Sequence, residues 1–260
     1  MGGRAGREAL VAWLEQAGFV AAEAEADALL AAAGGDGQRL DELLARRLTG
    51  EPLAWITGTT TFCGIDLEIH PGLYVPRAHS ERLVERAAAR LPSTGTAVDV
   101  CTGSGAVAAA LRAAHPHARV VGTDADPRAV ACARANGVEA YLGDLLDAAP
   151  AALHGRVDVL VGVVPYVPTS ALPLLQRDTL TFEATRSYDG GVDGTDILRR
   201  VLAGGPSLLR AGGTVLLELG ADQVDALQGD LDRLGYQGVS VVVDEDGDER
   251  AIEVRWSGWS

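Results

Sequence analysis

Residues 96–114 read TAVDVCTGSGAVAAALRAA, and this stretch decides the fold. A short β-branched run ends in a turn with glycines at positions 103 and 105, and an alanine-rich helical run follows at once. Glycine lets a backbone approach a ligand closely, and a helix that begins there offers free N–H groups. The stretch therefore predicts a strand, a ligand-binding turn and a helix.

The alternation of strand and helix continues to the C-terminus. ARVVGTD (118–124) and VDVLVGVV (157–164) are typical of buried strands, and PRAVACARAN (127–136) is typical of a helix. This order predicts an α/β domain with a parallel, doubly wound sheet. The last two strand-like runs flank a turn-like Asp246-Gly247 pair, which predicts an antiparallel hairpin that closes the sheet.

The N-terminal part has a different pattern. Residues 7–48 hold leucines at helical spacing, with breaks at Gly18 and around Gly34, and predict three short helices. Alternating apolar residues then predict a hairpin. The predicted organisation is a helical domain that recognises the substrate (1–57), a hairpin linker (58–73) and the α/β domain (74–260).

Composition limits the partners. The formal net charge of −14 would repel a phosphate backbone, so a nucleic-acid partner is not expected. The three cysteines are far apart and favour neither a disulfide framework nor a metal site. Without a signal peptide or an apolar run long enough for a membrane span, we expect a cytoplasmic enzyme, and the sequence indicates no oligomeric state.

Acidic residues follow the predicted strands. Asp124 ends the second strand, 124 − 105 = 19 residues after the last glycine of the turn, where an acid is placed to hold a ribose diol. Asp144 follows the third strand and is either an adenine ligand or a surface acid. Because Ala108 also satisfies the dinucleotide pattern, these residues indicate a nucleoside cofactor but do not distinguish NAD from S-adenosylmethionine.

Six segments resolve this choice. As a set, they resemble the HemK-like family of protein-(glutamine-N5) methyltransferases, which modify translation release factors. The resemblance implies a Rossmann-like class I methyltransferase that uses S-adenosyl-L-methionine. The segments are GEPLAWITGTTTFCGIDLEIHPGLYVPR (50–77), VDVCTGSGAV (98–107), GTDADPRAVACARAN (122–136), VPYVP (164–168), DGGVDGTDILRR (189–200) and GGTVLLELGADQ (212–223).

The resemblance also implies the site residues. Those expected to bind the cofactor are Cys101, Thr102, Gly103, Ser104, Gly105, Asp124, Ala125, Asp144, Leu145 and Val163. Those expected at the transferred methyl group are Val163, Val164, Pro165 and Tyr166. Those expected to bind the acceptor are Arg77 and Glu81, in PRAHSE (76–81), and Glu183.

One departure from the family pattern bears on the acceptor. The family motif Asn-Pro-Pro-Tyr reads Val163-Val164-Pro165-Tyr166 here, and Ala184 stands where the family has proline after Glu183. The family asparagine accepts a hydrogen bond from the substrate amide, and a valine side chain cannot. We therefore favour a changed acceptor, a small metabolite or another protein. The alternatives are the release factor glutamine itself and a silent, cofactor-binding protein.

Overall fold

The N-terminal helices form a compact unit. The computed structural model describes residues 3–220, 222–244 and 247–258, and the chain divides between Thr60 and Thr61. Leucines of three helices, among them Leu14, Leu29 and Leu43, form the core of the first unit. Its helices are α1 (Gly3–Gln16), α2 (Ala22–Ala33), α3 (Gly37–Leu48) and the short α4 (Leu53–Thr57).

A two-stranded hairpin lies at the division. Strands β1 (Thr59–Phe62) and β2 (Ile65–Glu68) form it, and its turn uses left-handed backbone at Cys63 and Gly64. At the end of β2, both the N–H and the carbonyl of Glu68 form hydrogen bonds with the Asn136 side chain, at 2.8 Å each. From Thr61 onward, the segment predicted as a linker is thus part of the second unit.

The second unit is built on a seven-stranded sheet in the described part of the chain, ordered β5-β4-β3-β6-β7-β9-β8. Neighbours from β5 to β7 are parallel, and β9 is antiparallel to both β7 and β8. The strands are β3 (Thr96–Val100), β4 (Arg119–Asp124), β5 (Glu139–Leu142), β6 (Val157–Gly162), β7 (Leu209–Glu218), β8 (Tyr236–Val243) and β9 (Glu249–Trp256). The helices are α5 (Glu81–Arg90), α6 (Ala106–Ala114), α7 (Pro127–Ala135), α8 (Arg177–Phe182), α9 (Asp196–Leu208) and α10 (Gln223–Arg233).

This architecture confirms the predicted doubly wound α/β fold. The central strands are covered on both faces, and Val98, Leu160 and Val215 are fully buried. The strand order reverses at β3, and a crevice at the carboxyl edge of such a reversal is where doubly wound folds bind ligands. The final hairpin is present, although Asp246 of its predicted turn lies outside the described residues.

The sequence pattern does not predict the structure of one region. Between β6 and α9 the chain forms α8 and two short 3₁₀ turns, at Thr169–Leu174 and Thr185–Ser187. Helices this short do not repeat an apolar residue often enough to show a period. Within the described residues, every helix is too short or too polar for a transmembrane span.

Candidate active site

A cavity of about 590 Å³ opens at the carboxyl edge of the sheet and brings most of the predicted residues together. Its walls belong to the second unit. The predicted residues that line it are Arg77, Cys101, Thr102, Gly103, Ser104, Asp124, Ala125, Asp144, Leu145, Val163, Val164, Pro165 and Tyr166. Gly105, Glu81 and Glu183 do not line it.

The glycine-rich turn contains left-handed backbone and borders open space. Cys101 and Gly103 both have a φ of 57°, in the left-handed region. A Cβ added at Gly103 would meet no atom within 4 Å, so the backbone there faces open space. At Gly105 a Cβ would lie 3.0 Å from Ala133, which indicates that this glycine serves the packing of α6 against α7.

The buried Asp99 stabilises the glycine-rich turn through hydrogen bonds. Its Oδ2 accepts hydrogen bonds from the Thr102 hydroxyl at 2.6 Å and from the Ala108 N–H at 3.2 Å. Burial raises the pKa of the Asp99 carboxyl to about 7, against the opposing effect of these two hydrogen bonds, and the charge of Asp124 adds to the rise. Asp99 therefore takes up a proton close to neutral pH.

This titration predicts a pH-dependent stability. The folded protein binds the Asp99 proton more tightly than the unfolded chain does, because the pKa of an aspartate in the unfolded chain is about 3.9. The stability that this proton contributes is therefore lost as the pH rises through about 7. An Asp99→Asn variant keeps an acceptor oxygen at this position and does not titrate there. Relative to that variant, the unfolding free energy of the unmodified protein should fall by on the order of 2 to 3 kcal/mol from about pH 5 to about pH 8. Urea denaturation measures it, and a rise over this range would contradict the assignment.

Asp124 faces the cavity from the end of β4. Its two carboxylate oxygens accept hydrogen bonds from the Gly103 N–H at 2.9 Å and the Asp126 N–H at 2.8 Å. Burial raises the pKa of this carboxyl, while the two backbone donors lower it. Each oxygen keeps a free lone pair, so the carboxylate can accept further hydrogen bonds from a ligand.

Asp144 is more exposed than an adenine ligand is expected to be. Its side chain is 61% exposed, and its Oδ2 lies 2.5 Å from Nη2 of Arg200 on α9. The next residue, Leu145, has a left-handed φ of 47° and turns the chain along the cavity. An ion pair with Arg200 was not predicted, because the two residues are 56 positions apart.

The aligned motif Val163–Tyr166 follows β6 directly. Val163 and Val164 both line the cavity. Val163 is half-buried, and Val164 is 2% exposed and also packs in the core of the sheet. The Tyr166 hydroxyl donates to Glu218 at 3.0 Å, and the Tyr166 carbonyl accepts from the Gln223 side chain at 2.8 Å. Tyr166 is thus held through both its side chain and its backbone.

The residues predicted to bind the acceptor have partners within the protein. Arg77 donates to Glu183 at 2.5 Å and to the Tyr188 hydroxyl at 3.0 Å, and Tyr188 donates to Glu183 at 2.6 Å. Burial and the Glu183 carboxylate raise the pKa of Tyr188, which keeps its proton. Glu81 accepts from the Cys63 N–H at 2.8 Å, in the turn of the hairpin.

Sequence reasoning missed Glu218, Gln223 and Tyr188. The sequence does carry a signal for Glu218, because it is a charged residue in an otherwise apolar run, VLLELG (215–220). It is 2% exposed. Such a carboxylate needs hydrogen-bond donors, and the donors here come from the walls of the cavity. Tyr188 gave no comparable signal.

Comparisons with known proteins bear on the fold and the family. The family profile of the Methyltransferase small domain matches residues 76–149, which include the glycine-rich turn and Asp124. A solved methyltransferase from Pyrococcus furiosus shares the fold, with a TM-score of 0.52 at 20% identity over 84% of this chain and 100% of its own. The fold is that of a Rossmann-like class I methyltransferase, and the profile match identifies a methyltransferase domain.

Sequence relatives define the family. A release factor glutamine methyltransferase from Geobacter sulfurreducens is 35% identical over 81% of this chain and 75% of its own length. Another, from Moorella thermoacetica, is 38% identical over 85% of this chain and 80% of its own. The chain belongs to the release factor glutamine methyltransferase family, as its sequence motifs predicted.

Proposed function

We propose that this protein transfers a methyl group from S-adenosylmethionine to the side-chain nitrogen of a glutamine in a peptide chain release factor. The relatives cover most of the chain and carry this activity in their names. The observation that carries the proposal is one cavity that contains both the glycine-rich turn and the aligned motif Val163–Tyr166. This proposal replaces the changed acceptor that we favoured from the sequence alone.

The cofactor side of the cavity fits a nucleoside. The turn at 101–105 presents open backbone at Gly103, and Gly105 leaves the first turn of α6 without a side-chain cap. Free N–H groups at a helix start suit the carboxylate of a methionine moiety, and Asp124 suits a ribose diol. S-adenosylmethionine bound there supplies an electrophilic methyl group on its sulfonium.

On the acceptor side, this chain must orient a weak nucleophile. An amide nitrogen shares its lone pair with its carbonyl, so positioning it in line with the methyl group is much of the catalysis. The backbone carbonyls of Val164 and Pro165 are the acceptors that we assign to the amide N–H groups. Val163 contributes an apolar wall in place of the family asparagine.

Val163 supports a second candidate function. An apolar wall beside the methyl group suits an acceptor that carries its own nucleophilicity, such as an amine or a hydroxyl of a small metabolite or another protein. The names of the relatives favour the release factor over this candidate. A silent cofactor-binding protein is the third candidate, and it predicts no methyl transfer at all.

Labelling distinguishes the three. Incubation with methyl-labelled S-adenosylmethionine and purified release factor should put label on one glutamine, located by mass spectrometry. Replacement of that glutamine by alanine should abolish incorporation. Label that enters only small molecules or other proteins of a cell extract would favour the changed acceptor, and label in neither would favour the silent protein.

The same assay tests the role of the N-terminal unit, to which we assign recognition of the release factor. All residues that line the cavity belong to the unit that begins at Thr61. A fragment that starts at Thr61 should bind S-adenosylmethionine in calorimetry as the full chain does. It should lose most of the label in release factor. Undiminished labelling by the fragment would remove the assigned role.

A further inference from the structure

Glu218 lies beside the aligned motif without facing the cavity. It is the last residue of β7, and Leu217 before it pairs with Gly162, the residue before Val163. The parallel register therefore sets Glu218 next to the start of the motif at the carboxyl edge of the sheet. The side chain is 2% exposed, and it does not contribute to the cavity wall.

Three polar side chains of the cavity wall converge on this carboxylate. The Ser80 hydroxyl donates to Oε2 at 2.6 Å, and the Tyr166 hydroxyl donates to Oε1 at 3.0 Å. The His79 ring Nε2 lies 3.3 Å from Oε1. Ser80, Tyr166 and His79 all line the cavity. Glu218 thus connects the PRAHSE segment to the motif beneath the wall.

A carboxyl group suits this arrangement, because it has two oxygens that can each accept a hydrogen bond. The Ser80 hydroxyl donates to Oε2 and the Tyr166 hydroxyl donates to Oε1, so each oxygen has a directed partner. A glutamine would keep one acceptor oxygen and turn its NH₂ group toward a donor. Burial and the Glu218 charge raise the pKa of Tyr166, so that its hydroxyl keeps the proton that it donates.

Tyr166 is also held from its backbone. Gln223 donates from Nε2 to the Tyr166 carbonyl at 2.8 Å and to the Asp193 carbonyl at 3.2 Å. Its Oε1 accepts from the Gly220 N–H at 2.9 Å, which fixes the amide orientation. The position of the Tyr166 phenol therefore depends on Glu218, while the position of the Tyr166 main chain depends on Gln223.

We propose that Glu218 is a positioning residue for methyl transfer, which fixes Tyr166 and the His79-Ser80 pair around the acceptor. The inference rests on the proposed function, since it assumes an acceptor held at this motif. Glu218 does not line the cavity, so its effect passes through the wall residues. The cofactor side is organised separately, by Asp99 under the turn and by the Asp124 contact to Gly103.

The test compares two buried glutamates. Glu218→Gln should lower kcat for release factor methylation by on the order of 10- to 100-fold, as expected for a misplaced acceptor, with an unchanged Kd for S-adenosylmethionine. Glu253→Gln is the matched control: Glu253 is 5% exposed and pairs with Arg86 and Arg90. It should lower the thermal midpoint and leave kcat as it is. An unchanged kcat in Glu218→Gln, or an equal loss in both variants, would overturn the proposal.

A double-mutant cycle separates this inference from the proposed function. Tyr166→Phe removes the phenol hydroxyl, so Glu218→Gln should cost less in that background, both in kcat and in the thermal midpoint of the cofactor-free protein. If the unmodified protein labels no release factor, the proposed function fails. The cycle of thermal midpoints still tests whether Glu218 and Tyr166 are energetically coupled. Additive effects on the midpoint would overturn the positioning role, and a shortfall from additivity supports it.

Discussion

The Asp124→Ala substitution is expected to weaken binding of S-adenosylmethionine by roughly 10- to 150-fold. A carboxylate that accepts hydrogen bonds from ribose hydroxyls contributes on the order of 1.5 to 3 kcal/mol, and each 1.4 kcal/mol is about tenfold in affinity. The oxygens of Asp124 are already oriented by the Gly103 and Asp126 N–H groups, so the carboxylate is in place before the ligand arrives. Calorimetric titration measures the change.

Asp158→Ala is the matched control for this substitution. Asp158 also accepts from a backbone N–H, that of Thr96 at 2.8 Å, and pairs with Arg210, but it lies outside the cavity wall. Its loss should reduce stability and leave the cofactor Kd unchanged. Because Asp124→Ala also releases Gly103, the thermal midpoint without ligand should be recorded for both variants. Equal affinity in Asp124→Ala and the unmodified protein would mean that the ribose is held elsewhere.

The fold could be predicted because its signals are local. Apolar runs such as VDVLVGVV are buried on both faces, and the structure places Val159, Leu160 and Val161 at no exposure. The turn is equally local, since its glycines and the following helix are adjacent in the sequence. A ligand site at the end of the first strand of a doubly wound sheet then follows from topology. The predicted cavity residues come together for this reason.

The rest of the site depends on contacts between distant residues. Glu218 meets Ser80 from 138 positions away, and Arg77 meets Glu183 from 106. The local sequence around Glu218 or Arg77 does not indicate which distant residue it contacts. The wall between β6 and α9 has the same origin, because its short turns are held by tertiary hydrogen bonds, such as that from the Thr169 N–H to the Gly191 carbonyl at 2.8 Å. Sequence reasoning could assign these residues to a site only by resemblance.

The Val163→Asn substitution is expected to raise methylation of release factor by about 10-fold or more. In an active site, one directed hydrogen-bond partner is typically worth 10²- to 10³-fold in rate, about 2.7 to 4 kcal/mol. Val163 lines the cavity directly after Gly162, at the end of a strand whose backbone is fixed by pairing on both sides. The new carboxamide would thus extend from a rigid position, where its carbonyl can accept from the substrate amide. Single-turnover methylation of release factor by the two proteins measures the gain.

The control must add the same group elsewhere in the same cavity. Val167→Asn does so, since Val167 is half-buried and lines the cavity but stands beyond the motif. It should give no gain, because its amide is not at the position that the family uses. If the natural acceptor were an amine or a hydroxyl, Val163→Asn would instead place an unpaired polar group in an apolar wall, at a cost of about 1 to 3 kcal/mol. Activity on that acceptor would then fall while release factor stayed unlabelled. That pair of results would remove the release factor from the proposed function and restore the changed acceptor that Val163 suggests.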